Sequence, residues 1–502
     1  MRTIRGNNMK RILALIFAAL LTSSVMISCG ESSEGPSPAS TTAAQAEDIE
    51  TEPEETRVPT GVPDDFNGEG YAYRILETGG DDSKYTDCWA ESENGEILND
   101  LIYRRNSTVE ERMNIKINET HMGDYTVVAN ALKNSVLAAE DAYDLFLNHM
   151  VNSASLAASG IFTPLNTLEY YDQSQPWWDS AVPSAFSIGG KLYLTNGDLN
   201  ISGMLRTSCM VFNKNLFNDR GLEYPYQSVY DGKWTFDVLD GYLVDQNADL
   251  DGDGAMDPYK DFYGLTSWYL DSPFSFFYGA GCMMILKDAD DMPYINVDMD
   301  KITAIYDKMY KIFITDESYF CTKMEDYSNA YDTFVQGRAL FLECSPTHLM
   351  ADKYREMEQD FGIIPIPKFD EIQEEYKSFL NGSIKMIGVP KTIQNPSLVS
   401  AVMTEMSAET YYSMTPQIYD IVVKTKNARD EQSADMVDLI IRNHIYDLAY
   451  ANMESFPTLS GFYRDALAGK KTDVASKVAK AQTSEQKKLD KLIDTYLENN
   501  DL

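Results

Sequence analysis

The sequence alternates between strand-like and helix-like hydrophobic patterns from residue 71 to residue 147. Residues 71–76, 115–117 and 143–147 have the composition of short strands. Residues 97–113 and 125–139 carry apolar side chains at the three- and four-residue intervals of a helix face. Elements in this order form a βαβαβ unit, whose crossover connections place the strands parallel. The front half of the chain is therefore predicted to be α/β.

The length and charge of the chain exclude several classes of protein. A chain of 502 residues with 44% hydrophobic and 24% charged residues has the composition of a soluble globular protein with at least two domains. Its formal net charge is −36, and such an acidic surface repels nucleic-acid phosphates and anionic lipid headgroups. We therefore expect no nucleic-acid partner.

The N-terminus has the zones of a secretory signal. Lys10 and Arg11 precede the apolar run 12–21, which is too short to span a bilayer. Cys29 follows Ser28 directly and resembles the cysteine of a bacterial lipobox, whose thiol is lipidated after cleavage. Residues 1–28 are thus predicted to be a signal peptide, with lipid-anchored Cys29 on the outer face of the cytoplasmic membrane. An ordinary secreted protein or an uncleaved anchor is the alternative.

A tether is predicted to follow the anchor. Residues 29–63 are rich in Ser, Thr, Ala, Pro and Glu, so they cannot bury enough apolar surface to offset their ordering entropy. The later cysteines include no Cys-x-x-Cys pair, which argues against a zinc site, and their odd number leaves at least one unpaired. We interpret them mostly as small buried apolar residues: Cys88, Cys209, Cys282, Cys321 and Cys344.

Five segments together resemble a known family. They are the S-G-I-F-T-P-L run ending at Leu165, the I-G-G-K-L-Y turn at 188–193, the M-V-F-N-K-N-L-F run at 210–217, the segment 330–341 and the strand-like 361–367. In this order they resemble the extracellular solute-binding proteins, family 1, of ABC importers. The resemblance implies a two-lobed, type II periplasmic-binding-protein-like fold with a hinge and an interlobe cleft. It places residues 66–206 plus 344–390 in the first α/β lobe, and residues 207–343 plus 391–502, with C-terminal helices, in the second.

The same resemblance implies a function. The chain is expected to be a monomeric binding lipoprotein that captures a mono- or oligosaccharide and delivers it to the permease of an ABC transporter. A peptide or another small solute is the alternative ligand, and an adhesin or a glycosidase is a more distant alternative. The four histidines show no metal-binding or nucleophile-activating motif, so we expect no enzyme.

Candidate ligand-binding residues follow from the cleft positions that the family implies, together with aromatic and hydrogen-bonding character. Trp89 either stacks on ligand or packs on the first helix, and Asn148 and His149 either face the cleft or form a satisfied turn. Arg206 either binds hydroxyls or a carboxylate, or it forms a salt bridge between lobes. The complete set is Trp89, Asn148, His149, Trp177, Asp198, Arg206, Trp268, Tyr269, Pro346 and Asn381. Trp177 and its neighbour Trp178 also suit a role in sealing helices against a sheet.

The acidic loop that begins at Asp249 resembles the calcium loop of an EF-hand. Acids at its first, third, fifth and ninth places, a glycine at the sixth and a carbonyl at the seventh match the pattern. Lys260 stands at the twelfth place, where an EF-hand has a bidentate glutamate. We expect a structural Ca²⁺ here, with an Asx-rich turn as the alternative. The predicted ligands are Asp249, Asp251, Asp253, Ala255 and Asp257.

Overall fold

The computed structural model describes residues 57–79, 87–200, 203, 205–423 and 430–498. The predicted signal peptide, Cys29 and most of the tether lie outside the described residues. The tether was predicted to extend to residue 63, but its last residues contact the folded body. Arg57 lies 2.7 Å from Glu409, Val58 donates its backbone N–H to the Tyr412 hydroxyl, and Val62 is buried. Among the described residues, no helix has the length and hydropathy needed to cross a bilayer.

The strands are named in chain order. They are β1 (Tyr71–Thr78), β2 (Ile115–Met122), β3 (Leu145–His149), β4 (Ser187–Ile188), β5 (Lys191–Leu192), β6 (Cys209–Asn213), β7 (Tyr263–Trp268), β8 (Ile285–Lys287), β9 (Pro293–Ile295), β10 (Tyr319–Cys321), β11 (Ala339–Cys344), β12 (Phe361–Ile364), β13 (Ser378–Phe379), β14 (Lys385–Gly388) and β15 (His444–Ile445).

The α-helices are named in the same way. They are α1 (Ile97–Met113), α2 (Tyr125–Leu137), α3 (Met150–Ala158), α4 (Val182–Phe186), α5 (Lys214–Arg220), α6 (Tyr226–Tyr230), α7 (Phe236–Leu243), α8 (Ser272–Gly279), α9 (Met299–Tyr310), α10 (Tyr327–Val335), α11 (Pro346–Leu349), α12 (Asp352–Arg355), α13 (Pro396–Glu409), α14 (Thr415–Val423), α15 (Glu431–Arg442), α16 (Leu448–Ala451), α17 (Phe462–Ala468) and α18 (Ala475–Glu498).

The first lobe is built on a four-stranded sheet in the order β14-β3-β1-β2. Strand β1 is parallel to β2 and β3, with Tyr71 opposite Ile115 and Ile75 opposite Leu145, and β14 is antiparallel to β3. Helices α1 and α2 connect the parallel strands. The βαβαβ unit predicted from the hydrophobic pattern is confirmed.

The second lobe is built on a five-stranded sheet in the order β10-β7-β11-β6-β12. Strand β7 is parallel to β10 and β11, whereas β6 is antiparallel to β11 and β12. The prediction that the strand at Phe361 belongs to the first lobe is wrong, because Phe361–Ile364 pairs with Cys209–Asn213. A strand buried on both faces carries no alternation that shows which sheet it joins. The chain rejoins the first sheet only at Lys385–Gly388.

Helix α13 also departs from the predicted division. It was assigned to the second lobe, but it packs on α1 and the first sheet. The Tyr73 hydroxyl donates to the Val399 carbonyl at 3.3 Å, and Arg112 of α1 forms an ion pair with Glu405. The apolar stripe of a helix gives its buried face but not the sheet that it covers.

Several segments cross between the two sheets side by side. Thr207, just before β6, forms a bridge with Leu380, and Ser208 donates its N–H to the Phe379 carbonyl at 2.8 Å. After β11, the Thr347 hydroxyl donates to the Leu205 carbonyl at 2.7 Å. These contacts form the connection about which two lobes can rotate.

Candidate functional site

The carboxyl ends of the parallel strands define the candidate site. In open α/β sheets, ligands bind at these ends because the loops there leave a crevice. Arg206, on the crossing segment before β6, lies near the ends of both sheets. Burial lowers the pKa of His149 at the end of β3 and that of His348 after β11, and the Arg206 charge adds to both shifts. The two sheet edges therefore converge around this guanidinium.

A buried ion triad occupies the first-lobe side. Glu77, Asp87 and Lys385 are 0%, 2% and 7% exposed, and the Lys385 ammonium lies 2.5 Å from Glu77 and 2.8 Å from Asp87. Glu77 also accepts the backbone N–H groups of Asp87 and Cys88. Burial lowers the pKa of Lys385, but Asp87 and Glu77 outweigh burial, and the net shift is upward. The triad holds the loop after β1 against the start of β14.

Glu119 on β2 lies beside this triad. Burial, reinforced by the Glu77 charge, raises the pKa of Glu119 to about 7. His121 lies 3.0 Å from the Glu119 carboxylate, and the Trp89 ring centroid is 6.5 Å from that of His121. Trp89 is half-buried, so the predicted ring stands at this edge of the sheet. This arrangement is compatible with stacking on a ligand.

The end of β3 holds Asn148 and His149. Asn148 is fully buried, donates to the Tyr125 carbonyl at 2.9 Å and accepts from the Thr78 hydroxyl. Its predicted ligand contact is withdrawn, because the side chain fastens β1, β3 and α2 together and is inaccessible. The centroid of the His149 ring lies 4.8 Å from that of Tyr125, and the two rings are tilted by 30°. Burial, with Arg206, lowers the pKa of His149 to about 4, so this imidazole is neutral at pH 7.

Arg206, Asp271, Asn381 and Ser383 form a polar cluster at the crossing segments. Arg206 donates to the Ser383 hydroxyl at 2.8 Å, and Asn381 donates to the Asp271 carboxylate at 2.5 Å. Burial raises the pKa of Asp271 to about 6, although Asn381 and Arg206 oppose the rise. Burial lowers the pKa of Arg206, opposed by Asp87 and Asp271. The cluster brings two predicted residues, Arg206 and Asn381, into one site.

An aromatic group marks the second-lobe side. Trp268 ends β7, and its ring lies 6.0 Å from Tyr269 and 5.3 Å from Tyr327. Trp268 and Tyr269 are half-buried, whereas Tyr327 is 47% exposed. Flat faces of this kind pack against the apolar faces of ring-shaped ligands. Trp268 and Tyr269 were predicted from the sequence, whereas Tyr327, at the start of α10, was not.

Glu343 lies one residue before the end of β11 and is 2% exposed. The Ser272 and Ser275 hydroxyls each donate to it at 2.6 Å. Burial, followed by the Asp271 charge, raises the pKa of Glu343 to about 8. The second-lobe side therefore holds a carboxyl group that is mostly protonated at neutral pH.

Glu343→Gln is expected to reduce the pH dependence of stability. The folded-state pKa of about 8 exceeds the ordinary value of about 4.3, so between these values the folded state binds the extra proton. Stability conferred by this group therefore falls as pH rises from about 4 to about 8, by up to about 1.4 kcal/mol per pH unit. Urea unfolding at pH 5 and pH 8 measures the effect. The free energy of unfolding of the variant, relative to that of the wild type, should be higher at pH 8 than at pH 5. Parallel pH profiles for the two proteins would contradict the assignment.

Three other predicted ligand residues are buried or already have a protein partner. Trp177 is 0% exposed and Pro346 is buried at the start of α11, so their predicted ligand contacts are withdrawn. Trp177 instead suits the alternative role of sealing the core. Asp198 is half-buried and accepts from the Thr415 hydroxyl at 2.6 Å, which commits one of its oxygens to α14.

The charged site residues that were not predicted from the sequence share one signal. Each is a charged residue that adjoins a run of apolar residues in its strand, close to the end that faces the site. A lone charge in such a run is buried, and buried charges need partners. The pattern identifies Glu77 in β1, Glu343 in β11 and Lys385 in β14.

In the first half of the acidic loop, aspartate carboxylates accept hydrogen bonds from backbone N–H groups two to five residues further on. Asp249 accepts the N–H groups of Gly252 and Gly254 at 2.6 and 2.7 Å, and carboxylate oxygens of Asp249, Asp251 and Asp253 lie within 4.8 Å of one another. The Lys260 ammonium lies 3.0, 3.7 and 3.5 Å from Asp251, Asp253 and Asp257. The oxygen donors suit Ca²⁺, but the lysine at the twelfth place balances part of their charge.

Comparisons with known proteins show the fold. No protein-family model and no curated protein matches the chain. The ABC substrate-binding protein Lmo0181 from Listeria monocytogenes, in complex with cycloalternan, has a TM-score of 0.53 and 14% identity, covering 83% of this chain and 98% of that one. The maltose/maltodextrin-binding domain MalE from Bdellovibrio bacteriovorus, bound to maltotriose, has a TM-score of 0.52 and 15% identity, covering 83% and 99%.

A third solved structure extends the comparison. A cyclo/maltodextrin-binding protein complexed with maltotetraose has a TM-score of 0.54 and 12% identity, covering 86% of this chain and 98% of that one. The class defined here is therefore the two-lobed periplasmic-binding-protein-like fold, as the sequence predicted. The solved chains are matched over almost their whole length, so the similarity spans both lobes.

Proposed function

We propose that this protein is the substrate-binding component of an ABC importer and captures a mono- or oligosaccharide between its lobes. The observation that carries the proposal is the polar cluster around Arg206 at the carboxyl edges of both sheets, with Trp89 on the first-lobe side and Trp268 on the second-lobe side. The structural neighbours bound to cycloalternan, maltotriose and maltotetraose support a carbohydrate as the ligand.

The chemistry of the site suits a neutral sugar. Trp89 on one lobe and Trp268 with Tyr327 on the other offer flat faces for the apolar side of a pyranose ring. Arg206 and Asn381 offer planar donors and acceptors for hydroxyl groups. The Asp271 carboxylate beside Arg206 partly offsets the guanidinium charge, which reduces the attraction for an anionic ligand. We therefore favour a neutral carbohydrate over a uronic acid.

A thermal-shift screen tests the ligand class. The protein without its predicted signal peptide and Cys29, which is called the exported chain below, is heated with neutral and acidic saccharides, amino acids and peptides, each in excess. A ligand that binds only the folded state stabilises it by mass action and so raises the melting temperature. At a ligand concentration 100 times the Kd, the free energy of unfolding increases by about 2.7 kcal/mol. Shifts confined to a few related neutral sugars support the proposal. The proposal would be overturned if only peptides shift the melting temperature, or if none of the compounds does.

The proposed cellular setting follows from the N-terminus. We propose that Cys29 carries the lipid anchor and that the monomeric body binds its sugar outside the membrane and presents it to a permease. Binding without catalysis is proposed because the solved neighbours are binding proteins. Expression in a bacterial host with labelled palmitate should label the wild type and not Cys29→Ala. Equal labelling, or none in either, would contradict the anchor.

We also propose that the loop Asp249–Asp257 binds Ca²⁺ with a structural role. The convergent oxygens of Asp249, Asp251 and Asp253 support this proposal. Bound Ca²⁺ would compete with the Lys260 ammonium for these oxygens.

Lys260→Glu is expected to raise the calcium affinity at least ~10-fold, because it removes a competing cation and places a carboxylate at the bidentate position. Titration calorimetry with CaCl₂ measures the effect. Lys377→Glu, at an exposed pair with Glu375, is the matched charge-change control and should leave the affinity unchanged. If Lys260→Glu binds no more tightly than the control, Ca²⁺ does not use this loop.

A further inference from the structure

Two cysteines from neighbouring strands lie side by side where the chain enters and leaves the second sheet. Cys209 begins β6 and Cys344 ends β11, and they are directly opposite in the antiparallel pairing of these strands. Their sulfur atoms are 3.9 Å apart, and the residues are 0% and 3% exposed. All five described cysteines are buried thiols.

The geometry of this pair suits a covalent link. Opposite residues of an antiparallel pair have Cα atoms about 4.5–5.5 Å apart, within the roughly 4.4–6.8 Å that disulfides span. A disulfide bond is about 2.05 Å long, so small rotations about both Cα–Cβ bonds are needed to close the remaining distance. The strand pairing has already brought the two side chains together.

We propose that Cys209 and Cys344 are a disulfide-forming pair that links the second lobe at its junction with the crossing segments. The oxidant is a disulfide, supplied by a small molecule or by a thiol oxidoreductase. One cysteine thiolate attacks it, forming a mixed disulfide and releasing one oxidant thiol. The second thiolate then attacks the mixed disulfide and releases the other thiol. Two protein thiols are oxidised and one oxidant disulfide is reduced to two thiols.

The position of the pair gives the link a mechanical role. Cys209 directly follows Ser208, whose backbone N–H donates a hydrogen bond to the Phe379 carbonyl. Cys344 directly precedes the segment in which the Thr347 hydroxyl donates a hydrogen bond to the Leu205 carbonyl. The link therefore fixes two crossing segments to each other at the base of the second lobe. It also closes a loop across a sequence separation of 135, which restricts the unfolded chain.

Burial determines when the bond forms. Burial raises the pKa of Cys344 well above the usual thiol range, with Cys209 adding to the rise. The thiolate is the reacting species, so exchange in the folded protein is slow. We therefore expect the bond to form during folding, while both cysteines are still accessible.

Peptide mapping tests the proposal directly. The exported chain is reduced, unfolded and refolded in a mixture of reduced and oxidised glutathione, and remaining thiols are alkylated after unfolding. Digestion without reduction should give one linked species that contains Cys209 and Cys344, with Cys88, Cys282 and Cys321 alkylated. The proposal is overturned if Cys209 and Cys344 are alkylated like the others, or are linked only to glutathione or to other cysteines.

The melting temperature supplies an independent readout. The oxidised wild type should melt at a higher temperature than the reduced wild type, and Cys282→Ala should keep this difference. Cys344→Ala should lose it, since each protein is compared with itself in two redox states. An equal melting temperature for linked and reduced wild type would overturn the mechanical role. If Cys344→Ala fails to fold, the wild-type peptide map still decides whether the pair is linked.

Discussion

Lys385→Met is expected to lower the free energy of unfolding by about 3–5 kcal/mol, because it leaves two buried carboxylates without their shared cation. Glu77 and Asp87 are 0% and 2% exposed, so water cannot replace the ammonium without opening the core. Arg105 is also buried nearby, but its guanidinium donates to the backbone carbonyl of Asp87 at 3.0 Å. It does not take the place of Lys385. Urea unfolding at pH 7 measures the loss.

Two variants separate lost charge pairing from lost packing. Lys377→Met removes a partly exposed lysine whose ion pair with Glu375 is open to solvent, and it should cost less than about 1 kcal/mol. Adding Glu77→Gln and Asp87→Asn to Lys385→Met should recover part of the lost stability, since the uncompensated charges are gone. If Lys385→Met unfolds within 1 kcal/mol of the wild type, the triad does not hold the first-lobe side of the site.

Trp268→Ala is expected to weaken carbohydrate binding about 30-fold, or about 2 kcal/mol, because an aromatic ring that packs against a ligand is a typical binding hot spot. Tyr327→Ala should also weaken binding. This ring packs 5.3 Å from Trp268 but is 47% exposed, so its removal should change stability little. Titration calorimetry with the best sugar from the thermal-shift screen measures both effects.

The matched control for the aromatic group is Tyr230→Ala. Tyr230 is 48% exposed, similar to Tyr327, but it lies on α6, where its hydroxyl donates to Asp435 at 2.9 Å. Its removal should leave the affinity within about twofold of the wild type. A Trp268→Ala protein that melts normally and binds as tightly as the wild type would place the ligand away from the second-lobe rings.

The sequence predicted the first sheet well because its signals are local. The strands Tyr71–Thr78 and Leu145–His149 and the helices between them follow from hydrophobic period and length. The membership of Phe361–Ile364 was predicted wrongly, because both faces of this strand are buried. Its partner is set by long-range pairing, which no local period encodes.

The candidate site shows the same limit at the level of side chains. Strand ends were located correctly, and Arg206, Trp268 and Asn381 do lie at the converging edges. Asn148 sits at a strand end as predicted, yet its side chain is fully buried. Asn148 and His149 were both predicted, but neighbouring residues of a strand face opposite sides, and the sequence does not show which of the two is buried. The charges Glu77 and Lys385 were missed because they are far apart in sequence and become partners only through the pairing of β14 with β3.

Native mass spectrometry of the exported chain with a mixture of neutral oligosaccharides tests the central claim most directly. The mixture contains linear and cyclic glucans and manno-oligosaccharides, and the wild type is compared with a Trp89→Ala, Trp268→Ala double variant. We predict that the wild type retains one sugar, or one closely related set, in a one-to-one complex and that the folded double variant retains none. A wild type that retains no sugar, or a folded double variant that retains the same sugars equally well, would contradict carbohydrate capture between the lobes.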